Sequence, residues 1–445
     1  MKPLGLIEVG EIIRRVRKER GLRLEDISDE NISTATVSNL ERGVSHVKQE
    51  KMYYLLDKLG ISIDKLPELI LDQKKELEQD KFNLFTIESL RDNGFSEHAL
   101  EKLNQMQLED QHPLAAYAYL IKGKCFNSLK KWRQAERAFF DAIRLDQIHT
   151  TYSSRSNIEA ASFTGLSLCS YYQNNLEQAI TYTNSGLDAF VDEGERRQYK
   201  YVLLQNKAMF LEKMGRPVEA LKVIQDSWGY IPEIEQVEVI LGFYWLRAEL
   251  LRRIKDYDTA LQIAKEGLEK ARLTHENARK FDLWIVTGST YMAMKRWPEA
   301  ESCFEVALKM EEKFPNKEIV STAYTRLGIL YLQQERWEEA RDYIQKAIHI
   351  GEESHDILRL VYALITMGYY HKQLKDYHEA IKHYKQAAEL ARKYQLKNKE
   401  YIALFELTQC LENNDEEEFL ATLRNMYRIQ KELYQKEGIK IEELE

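Results

Sequence analysis

The chain has 445 residues, of which 44% are hydrophobic and 31% are charged, and its formal net charge is -8. These proportions exclude a disordered chain, and the lack of any apolar run of about 18 residues excludes a membrane-spanning helix. Only 7 prolines and 19 glycines occur, which favours long helices over a turn-rich β fold. The start, "MKPLGLIEVGEIIRRVRKERG", has no apolar segment with a small-residue cleavage site, so we expect no secretory leader and a cytoplasmic location.

The charge is distributed unevenly along the chain. Residues 1–63 contain 11 Lys and Arg against 10 Asp and Glu, and six of these basic residues fall between Arg14 and Arg23. The acidity therefore belongs mainly to the remaining residues, which include the stretches "NNDEEEFL" and "IEELE". A negative total charge consequently does not exclude DNA binding by a small N-terminal surface.

Residues 7–63 predict five short helices separated by turn residues. Apolar residues recur at helical spacing in this segment, and glycine, asparagine and serine mark the helix ends. The helices that the pattern defines individually run from about Glu8 to Arg20, from Leu24 to Ser28, from the N-cap Ser33 to Gly43, and through "EKMYYLLDKLGIS". Two readings follow: a DNA-binding helix-turn-helix, or short surface helices of a larger helical protein.

The order of these helices favours the DNA-binding interpretation. The stretches "IIRRVRKERGLRLEDIS" and "STATVSNLERG" resemble the Xre/Cro-type helix-turn-helix, whose third helix ends in S-x-[IL]-E-x-G. The short turn "SDENIS" lacks the Leu-Gly usual in that family and is similar to its peptide-regulated branch. The resemblance also implies a structural ion pair between Arg17 and Glu41.

In this fold the third helix lies in the major groove, and its N-terminal half reads base edges. Asn39 is suited to pairing with adenine and Ala35 to contact with a thymine methyl group. A pseudo-symmetric DNA site requires a dimer, so we expect the rest of the chain to supply oligomerisation. The resemblance implies base contacts by Thr34, Ala35, Ser38 and Asn39, and phosphate contacts by Arg23 and Arg42.

Residues 64–81, "DKLPELILDQKKELEQDK", predict a charged helical linker, and a repeat occupies the chain from residue 82 to residue 445. Seven alanines define its period, with steps of 44, 41, 40, 40, 40 and 40 residues. A small residue precedes each alanine by twelve positions, and a bulky residue usually precedes it by three, with Pro217 as the exception. The alanines are Ala135, Ala179, Ala220, Ala260, Ala300, Ala340 and Ala380, and the small residues are Gly123, Ser167, Ala208, Ala248, Gly288, Gly328 and Gly368.

This pattern resembles the tetratricopeptide repeat, lengthened to about 40 residues per helical hairpin. Small residues let antiparallel helices approach closely, and a degenerate copy at each end brings the expected number of hairpins to about nine. The predicted fold class is therefore all-α: an N-terminal lambda-repressor-like helix-turn-helix domain (1–63), the linker (64–81), and a right-handed α-solenoid (82–445) for peptide binding and oligomerisation.

Four positions of each first helix, counted from the small residue, are expected to face the concave groove of such an array. They hold amides, charges and aromatic rings, a mixture suited to an extended peptide. Amides can bind the peptide backbone, Trp245 can pack a side chain, and Arg326 can pair with a carboxylate. The candidate peptide-binding residues are Gln205, Asn206, Trp245, Glu249, Asp282, Arg326, Tyr362 and Tyr369.

The two parts together resemble the RRNPP group (Rap, Rgg, NprR, PlcR and PrgX) of peptide-pheromone receptors, and most of all the NprR-like members. The resemblance implies a quorum-sensing transcriptional regulator that binds double-stranded operator DNA and a short imported signalling peptide, and forms a homodimer or higher homo-oligomer. It also leaves open a phage arbitrium-type receptor, and an adaptor that binds a response regulator or sporulation phosphorelay protein.

An enzymatic function has little support in the sequence, and we expect neither a cofactor nor a metal. No P-loop, GxSxG, HExxH or Rossmann fingerprint occurs. The four cysteines are far apart and lack any CxxC spacing, so we expect small core residues in a reducing compartment. They are Cys125, Cys169, Cys303 and Cys410. A pure scaffold would explain the repeats but would leave residues 1–63 without a role.

Overall fold

The computed structural model describes residues 6–43, 47–148, 155–314, 319–412 and 415–437, and all regular elements within these ranges are helical. The chain divides into two compact units, Met1–Leu108 and Glu109–Glu445. None of the described helices is long and apolar enough to cross a membrane. The first unit contains α1 (Leu6–Glu19), α2 (Leu24–Ile27), α3 (Thr34–Glu41), α4 (Gln49–Lys58), a 3-10 turn (Ile63–Lys65), α5 (Leu66–Asp92) and α6 (Ser96–Met106).

The second unit contains sixteen α-helices in the described residues, which pair into eight antiparallel hairpins, and two 3-10 helices, Trp228–Glu233 and Glu311–Lys313. The first four hairpins are α7 (Ala115–Ser128) with α8 (Trp132–Ile148), α9 (Ile158–Tyr172) with α10 (Leu176–Asp188), α11 (Gln198–Lys213) with α12 (Pro217–Ser227), and α13 (Val237–Arg253) with α14 (Tyr257–Arg272). The last four are α15 (Asn277–Ala293) with α16 (Trp297–Leu308), α17 (Val320–Gln333) with α18 (Trp337–Ser354), α19 (Ile357–Gln373) with α20 (Tyr377–Lys393), and α21 (Lys397–Leu411) with α22 (Glu416–Glu437).

The helix-turn-helix core depends on the close approach of α1 to α3. A Cβ atom placed on Gly10 would clash with the carbonyl oxygen of Leu40 and would lie 3.0 Å from that of Glu41. Arg17 fixes the same contact, because its Nε donates to Oε1 of Glu41 at 2.5 Å and a terminal nitrogen donates to Oε2 at 2.9 Å. The third nitrogen of Arg17 donates to the carbonyl oxygen of Leu22 at 2.8 Å. The structural ion pair predicted between Arg17 and Glu41 is thus confirmed.

The short turn between α2 and α3 is held by the carboxylate of Asp29. Its Oδ1 accepts from the backbone amides of Asn31 (2.8 Å) and Ile32 (3.1 Å). Its Oδ2 accepts from the hydroxyl of Tyr54 at 2.7 Å and from the ammonium of Lys58 at 2.5 Å, both on α4. One carboxylate therefore replaces the Leu-Gly that the usual turn of this motif contains.

The predicted boundaries at residues 63 and 81 do not coincide with breaks in the structure. Only four α-helices, rather than five, are described before residue 63, and the next helix, α5, runs unbroken through residue 81. Leu66 and Ile70 of α5 are buried in the helix-turn-helix core. Lys74 of α5 forms an ion pair with Glu8 of α1 at 2.5 Å. The predicted linker is therefore helical, but its first half packs as part of the N-terminal domain.

The hairpins of the second unit repeat the packing that the small and alanine columns predict. All seven alanines have no exposed surface. Each bulky residue, or Pro217 in the third hairpin, is the first residue of the second helix of its hairpin. The ninth predicted hairpin, α5 with α6, falls within the first compact unit. The end of the predicted array, residues 438–445, lies outside the described residues.

The size of each small residue corresponds to the size of the residue four positions after the alanine of the same hairpin. A Cβ on Gly123 would lie 2.6 Å from the ring of Phe139, one on Gly288 2.7 Å from Phe304, and one on Gly368 2.6 Å from Tyr384. A Cβ on Gly328 would overlap Ile344. Where the small residue is larger than glycine, the partner is smaller than an aromatic residue: Ser167 with Thr183, Ala208 with Ile224, and Ala248 with Ala264.

The turn inside each of these hairpins is also the same. The residue five positions before the alanine has a left-handed backbone, with φ between 57° and 80°. The following amide donates to the carbonyl oxygen five residues earlier, at 2.8 to 3.0 Å, which is the hydrogen bond of a Schellman helix end. Only one of the seven left-handed residues is a glycine: Lys130, Asn174, Gly215, Lys255, Lys295, Glu335 and Lys375.

The matched columns predict that Gly328→Ala destabilises the second unit. The added methyl group overlaps Ile344, and overpacking of a filled core costs about 1–3 kcal/mol. Chemical denaturation should show a lower midpoint for this variant. Gly229→Ala is the control, because a Cβ there meets no atom within 4 Å. Adding Ile344→Ala should produce a combined loss smaller than the sum of the two single losses; an additive loss would contradict the packing described.

The carboxylate of Asp29 predicts a pH-dependent stability of the helix-turn-helix. Lys58, then Tyr54 and the amides of Asn31 and Ile32, hold the pKa of Asp29 well below its ordinary value. The contribution is therefore complete above the unfolded pKa of about 3.9 and is lost as the pH falls towards the depressed folded value. Hydrogen exchange of residues 24–41 in the full chain should be faster in Asp29→Asn than in the wild type at pH 6. The difference should shrink below pH 4.

Asp57→Asn provides the matched control for this measurement. Asp57 is also exposed and lies on α4, but it takes no part in the hydrogen bonds of the turn. It should leave the exchange of residues 24–41 unchanged at every pH. A difference between Asp29→Asn and the wild type that stays constant from pH 3 to pH 7 would refute the role of the ionised carboxylate.

Candidate functional site

The predicted recognition helix presents its N-terminal half to solvent. Ser33 caps α3, accepting from the amide of Thr36 at 3.2 Å, while Val37 and Leu40 anchor the helix in the core. The residues predicted to contact bases occupy the other side of the helix. Thr34 and Ala35 are exposed, and Ser38 and Asn39 are half-buried. The surface that they form is uncharged and carries hydroxyl, methyl and amide groups, which can read base edges.

The two arginines predicted to bind phosphates are both exposed but differ in their contacts. Arg23 lies just before α2, and its backbone amide donates to Asp26 at 2.7 Å. Arg42 follows α3 and donates to Oδ1 of Asn39 at 2.6 Å. Pairing of Asn39 with adenine uses both its oxygen and its nitrogen, so Arg42 already contacts the oxygen that such a pair would use.

The basic cluster of α1 is partly neutralised within the first unit. Arg15 forms ion pairs with Glu19 at 2.9 Å and with Glu76 at 2.8 Å, and Arg17 is occupied by Glu41. The arginines of this helix therefore contribute less positive surface than their number in the sequence indicates. Arg20 and Arg23 remain exposed beside α2.

The candidate peptide-binding residues differ widely in exposure. Gln205 is 5% exposed and fills the space beside Gly242. Asn206 is 6% exposed, and its amide nitrogen has no hydrogen-bond partner in the described part of the chain. Tyr369 is 41% exposed, and no described contact joins it to the other candidates. Glu249 is buried, and the half-buried candidates are Trp245, Asp282, Arg326 and Tyr362.

Five candidates belong to one network of charged and aromatic side chains, which we call the inner charge cluster. Its cations are Lys213, Arg252, Arg253, Arg279, Arg326, Arg359 and Lys399, its carboxylates are Glu212, Glu249, Asp282 and Asp356, and Trp245 and Tyr362 contribute rings. Gln205 and Asn206 lie on α11 beside it, without a described contact to it.

Glu249 is the centre of one half of this cluster. Arg252 donates to both of its oxygens, at 2.6 and 2.8 Å, and Arg253 donates to Oε1 at 3.0 Å. Burial alone would raise the pKa of Glu249, but these two arginines and Arg326 outweigh burial and lower it. Arg253 also forms an ion pair with the buried Glu212, which lies 3.3 Å from Lys213.

Asp282 is the centre of the other half. It lies 3.2 Å from Arg279 of its own helix, and Arg279 also stands over the ring of Trp245 at 5.8 Å. Burial raises the pKa of Asp282, whereas Arg279, Arg359 and Lys213 act against this rise. Arg359 in turn forms an ion pair with Asp356 and donates to Thr322 at 3.0 Å.

Tyr362, in the seventh hairpin, lies between a cation of the sixth hairpin and a cation of the eighth. The guanidinium of Arg326 is 5.4 Å from the ring centre, and the ammonium of Lys399 is 4.8 Å from it. Neither cation has a carboxylate within 4.0 Å among the residues described. Nε of Arg326 is buried and has no hydrogen-bond partner there. This part of the cluster therefore has two cations that no described carboxylate contacts directly.

The third and eighth hairpins of the array contact each other beside this point. The side-chain amide of Asn398, on α21, donates to the carbonyl oxygen of Met214, at the end of α11. A Cβ on Gly215 would clash with the same amide. This contact explains why Gly215 is the one glycine among the seven left-handed turn residues.

Several members of the inner charge cluster were missed at the level of the sequence. One column of the repeat contains three of them, Arg279, Arg359 and Lys399, which are separated by multiples of 40 residues. Arg279 and Arg359 each lie nine positions before the small residue of their hairpin. The 40-residue period would have revealed this column. Glu212, Lys213, Arg252 and Arg253 follow the small residue by four or five positions, where the first helix ends.

No group of three or more His, Cys, Asp and Glu residues that could hold a metal ion occurs among the residues described. All four cysteines are buried, and none of them forms a disulfide within the described residues. Burial raises the pKa of Cys169 to about 12 and that of Cys303 to about 11, so these two thiols stay protonated near neutral pH. The predicted core role of the cysteines is confirmed.

Protein-family models match both parts of the chain. A helix-turn-helix model matches residues 13–66, and two tetratricopeptide-repeat models match residues 283–353 and 361–394. A model of anaphase-promoting complex subunit 5 matches residues 166–230. This range covers most of the second hairpin, the whole third hairpin and the first residues of the segment that follows α12. The predicted motif and repeat are thus both identified by known families.

Solved structures share the fold. A Rap protein in complex with competence and sporulation factor has a TM-score of 0.59 at 16% identity, covering 80% of this chain and 99% of that one. NprR in complex with its cognate peptide NprX has a TM-score of 0.51 at 14% identity, covering 78% of this chain and 89% of that one. These structures confirm the predicted all-α architecture with a repeat solenoid.

A curated relative supports the same relationship at the level of sequence. Response regulator aspartate phosphatase A of Bacillus subtilis (strain 168) is 26% identical over 182 residues, which are 40% of this chain. The aligned part spans 46% of that relative's own length. The chain therefore joins a helix-turn-helix domain to tetratricopeptide repeats and has as its structural neighbours the Rap and NprR members of the RRNPP family.

Proposed function

We propose that this protein is a cytoplasmic, peptide-responsive transcriptional regulator. The helix-turn-helix binds double-stranded operator DNA through α3, and the solenoid binds a short signalling peptide along the first helices of its hairpins. The observation that carries the proposal is the combination of two parts in one chain: a helix whose predicted base-reading half is exposed, and an array with two cations that no described carboxylate contacts within 4.0 Å. Beside the inner charge cluster, the buried amide nitrogen of Asn206 has no hydrogen-bond partner among the described residues. Neither a scaffold nor a DNA-binding domain alone uses both.

Peptide binding must change the DNA-binding domain through a conformational or oligomeric equilibrium. A ligand with equal affinity for two states shifts nothing, so the peptide must prefer one state of the array. The contact of Asn398 with Met214 joins two hairpins that are 184 residues apart, and a ligand beside it can favour either the closed or the open array. A dimer of the solenoid would transmit this change to two operator half-sites.

A second candidate function is that of an adaptor for a response regulator. The observation that favours it is the similarity to the Bacillus subtilis protein named response regulator aspartate phosphatase A. In this alternative the solenoid recognises a phosphorelay protein, and the peptide controls that interaction. A phage arbitrium-type receptor would use the same two sites as the main proposal and would differ only in the genes that it controls.

The DNA-binding proposal predicts that Thr34→Ala/Asn39→Ala loses operator affinity. Selection from a random-sequence DNA pool with the full-length wild type would provide the operator. Because a bidentate base contact is worth about 1–3 kcal/mol, the double variant should bind this operator at least about tenfold more weakly. Gln79→Ala/Thr86→Ala, which removes two exposed polar side chains of α5, is the control and should bind normally. Unchanged affinity of the first variant would end the DNA-binding claim.

The adaptor alternative makes a separate prediction about aspartyl phosphate. If the chain acts on response regulators, one of the phosphorylated response regulators of the same organism should lose its phosphate faster in its presence. The measurement is the decay of the labelled phosphoprotein with and without the full-length chain. Thr34→Ala/Asn39→Ala should leave this decay unaffected, since α3 lies in the other unit. Phosphate loss at the same rate with and without the chain, for every regulator tested, would exclude the phosphatase form of the alternative.

A further inference from the structure

We propose that Arg326 and Lys399 form a binding site for a carboxylate of the peptide, and that an occupied site stabilises the contact between the third and eighth hairpins. The inference rests on the proposed function, because it names the chemistry of the ligand and its effect on the same groove. The carboxylate comes either from the C-terminus of the peptide or from an Asp or Glu side chain. Both sources present the same anion to the two cations.

The first reason is that neither of these two cations forms an ion pair with a carboxylate in the described residues. Both contact the ring of Tyr362, at 5.4 and 4.8 Å, and neither lies within 4.0 Å of a carboxylate in the described residues. The buried Nε of Arg326 donates to no described acceptor. Buried or half-buried charges are normally paired, because their desolvation is costly. A ligand carboxylate would supply the missing partner through charge-assisted hydrogen bonds.

The second reason is that the nearby carboxylates are already neutralised by other cations. Glu212 is paired with Arg253 and lies 3.3 Å from Lys213. Glu249 accepts three hydrogen bonds from Arg252 and Arg253. If either acid turned to Arg326 or Lys399, it would break its present contacts with Arg252 or Arg253. The positive charge at Tyr362 stays available for a ligand.

The third reason is the electrostatic repulsion between cations at the contact between the third and eighth hairpins. Burial, and then Arg253 and Lys213, lower the pKa of Lys399 to about 8, with Glu212 opposing and Arg326 adding to the decrease. The side-chain amide of Asn398 donates to the carbonyl oxygen of Met214. Lys399 follows Asn398 in the sequence, and Lys213 precedes Met214. Two cations thus flank the contact between the hairpins. An anion at Lys399 offsets their repulsion and so favours the closed contact.

Capped tripeptides provide probes that separate the two sources of the carboxylate. Acetyl-Gly-Gly-Gly with a free carboxylate is compared with its amide, and acetyl-Gly-Glu-Gly amide with acetyl-Gly-Gln-Gly amide. Isothermal titration calorimetry with the full-length protein at pH 7 should show at least one acidic peptide binding about tenfold more tightly than its neutral counterpart. The pair that shows the preference identifies the source. Equal affinities within both pairs would overturn the proposal.

Two variants and the pH dependence test whether the preference arises at this site. Arg326→Gln/Lys399→Met should remove it, whereas Lys222→Met/Lys265→Met, which replaces two exposed lysines of second helices, should keep it. If the first variant does not fold, the wild type still decides the matter. Its preference should fall between pH 7 and pH 9.5 as Lys399 loses its proton, because the capped peptides do not titrate in this range. A preference that is unchanged over this range, or in the first variant, contradicts the site.

Hydrogen exchange tests the effect on the hairpin contact. Saturation with the preferred acidic tripeptide should slow exchange at residues 397–402 relative to its neutral counterpart, and unchanged exchange would remove the claim of stabilisation. The test of this carboxylate site can fail or succeed independently of the test of the proposed regulatory function. A carboxylate preference without any peptide effect on operator affinity would leave this site in place and refute the regulator. Peptide control of operator binding without a carboxylate preference would do the reverse.

Discussion

The close approach of the two helices in each hairpin is the constraint on which the rest of the second unit depends. A small residue on the first helix faces the residue four positions after the alanine on the second, and their sizes are complementary: glycine meets Phe139, Phe304, Ile344 or Tyr384. Because close-packed cores tolerate neither voids nor overlap, this pairing sets the distance between the helices. The recurring left-handed turn then sets the direction of the second helix relative to the first in each of the seven hairpins.

The 40-residue period places the residues of one sequence column at the same position of successive hairpins. Residues 40 apart, such as Arg359 and Lys399, are brought into one network with charges from the ends of earlier first helices. The network contains more cations than carboxylates, although the whole chain is acidic. The net charge of -8 therefore does not apply to the inner charge cluster, whose excess of cations can attract an anionic ligand locally.

The first unit is governed by a different constraint, the burial of one ion pair. Arg17 and Glu41 join α1 to the end of α3, and Gly10 allows the two helices to approach closely enough for that pair. Asp29 then fixes the shortened turn through four hydrogen bonds. These contacts orient α3 so that Thr34 and Ala35 stay exposed. The exposure of the predicted DNA-reading surface is thus a consequence of packing on the opposite side of the same helix.

The sequence by itself determined the fold class, the helix-turn-helix, and the repeat with its two columns, because each follows from local periodicity or a short motif. The pairing of Arg17 with Glu41 was implied by the family resemblance. Only the tertiary structure decided that α5 belongs in part to the N-terminal core, that Gln205 fills the space beside Gly242, and that Lys399 shares a ring with Arg326. It also brought Asn398 against Met214. The reason is that these contacts join residues up to 184 positions apart, whose meeting depends on the accumulated geometry of many hairpins rather than on any local pattern.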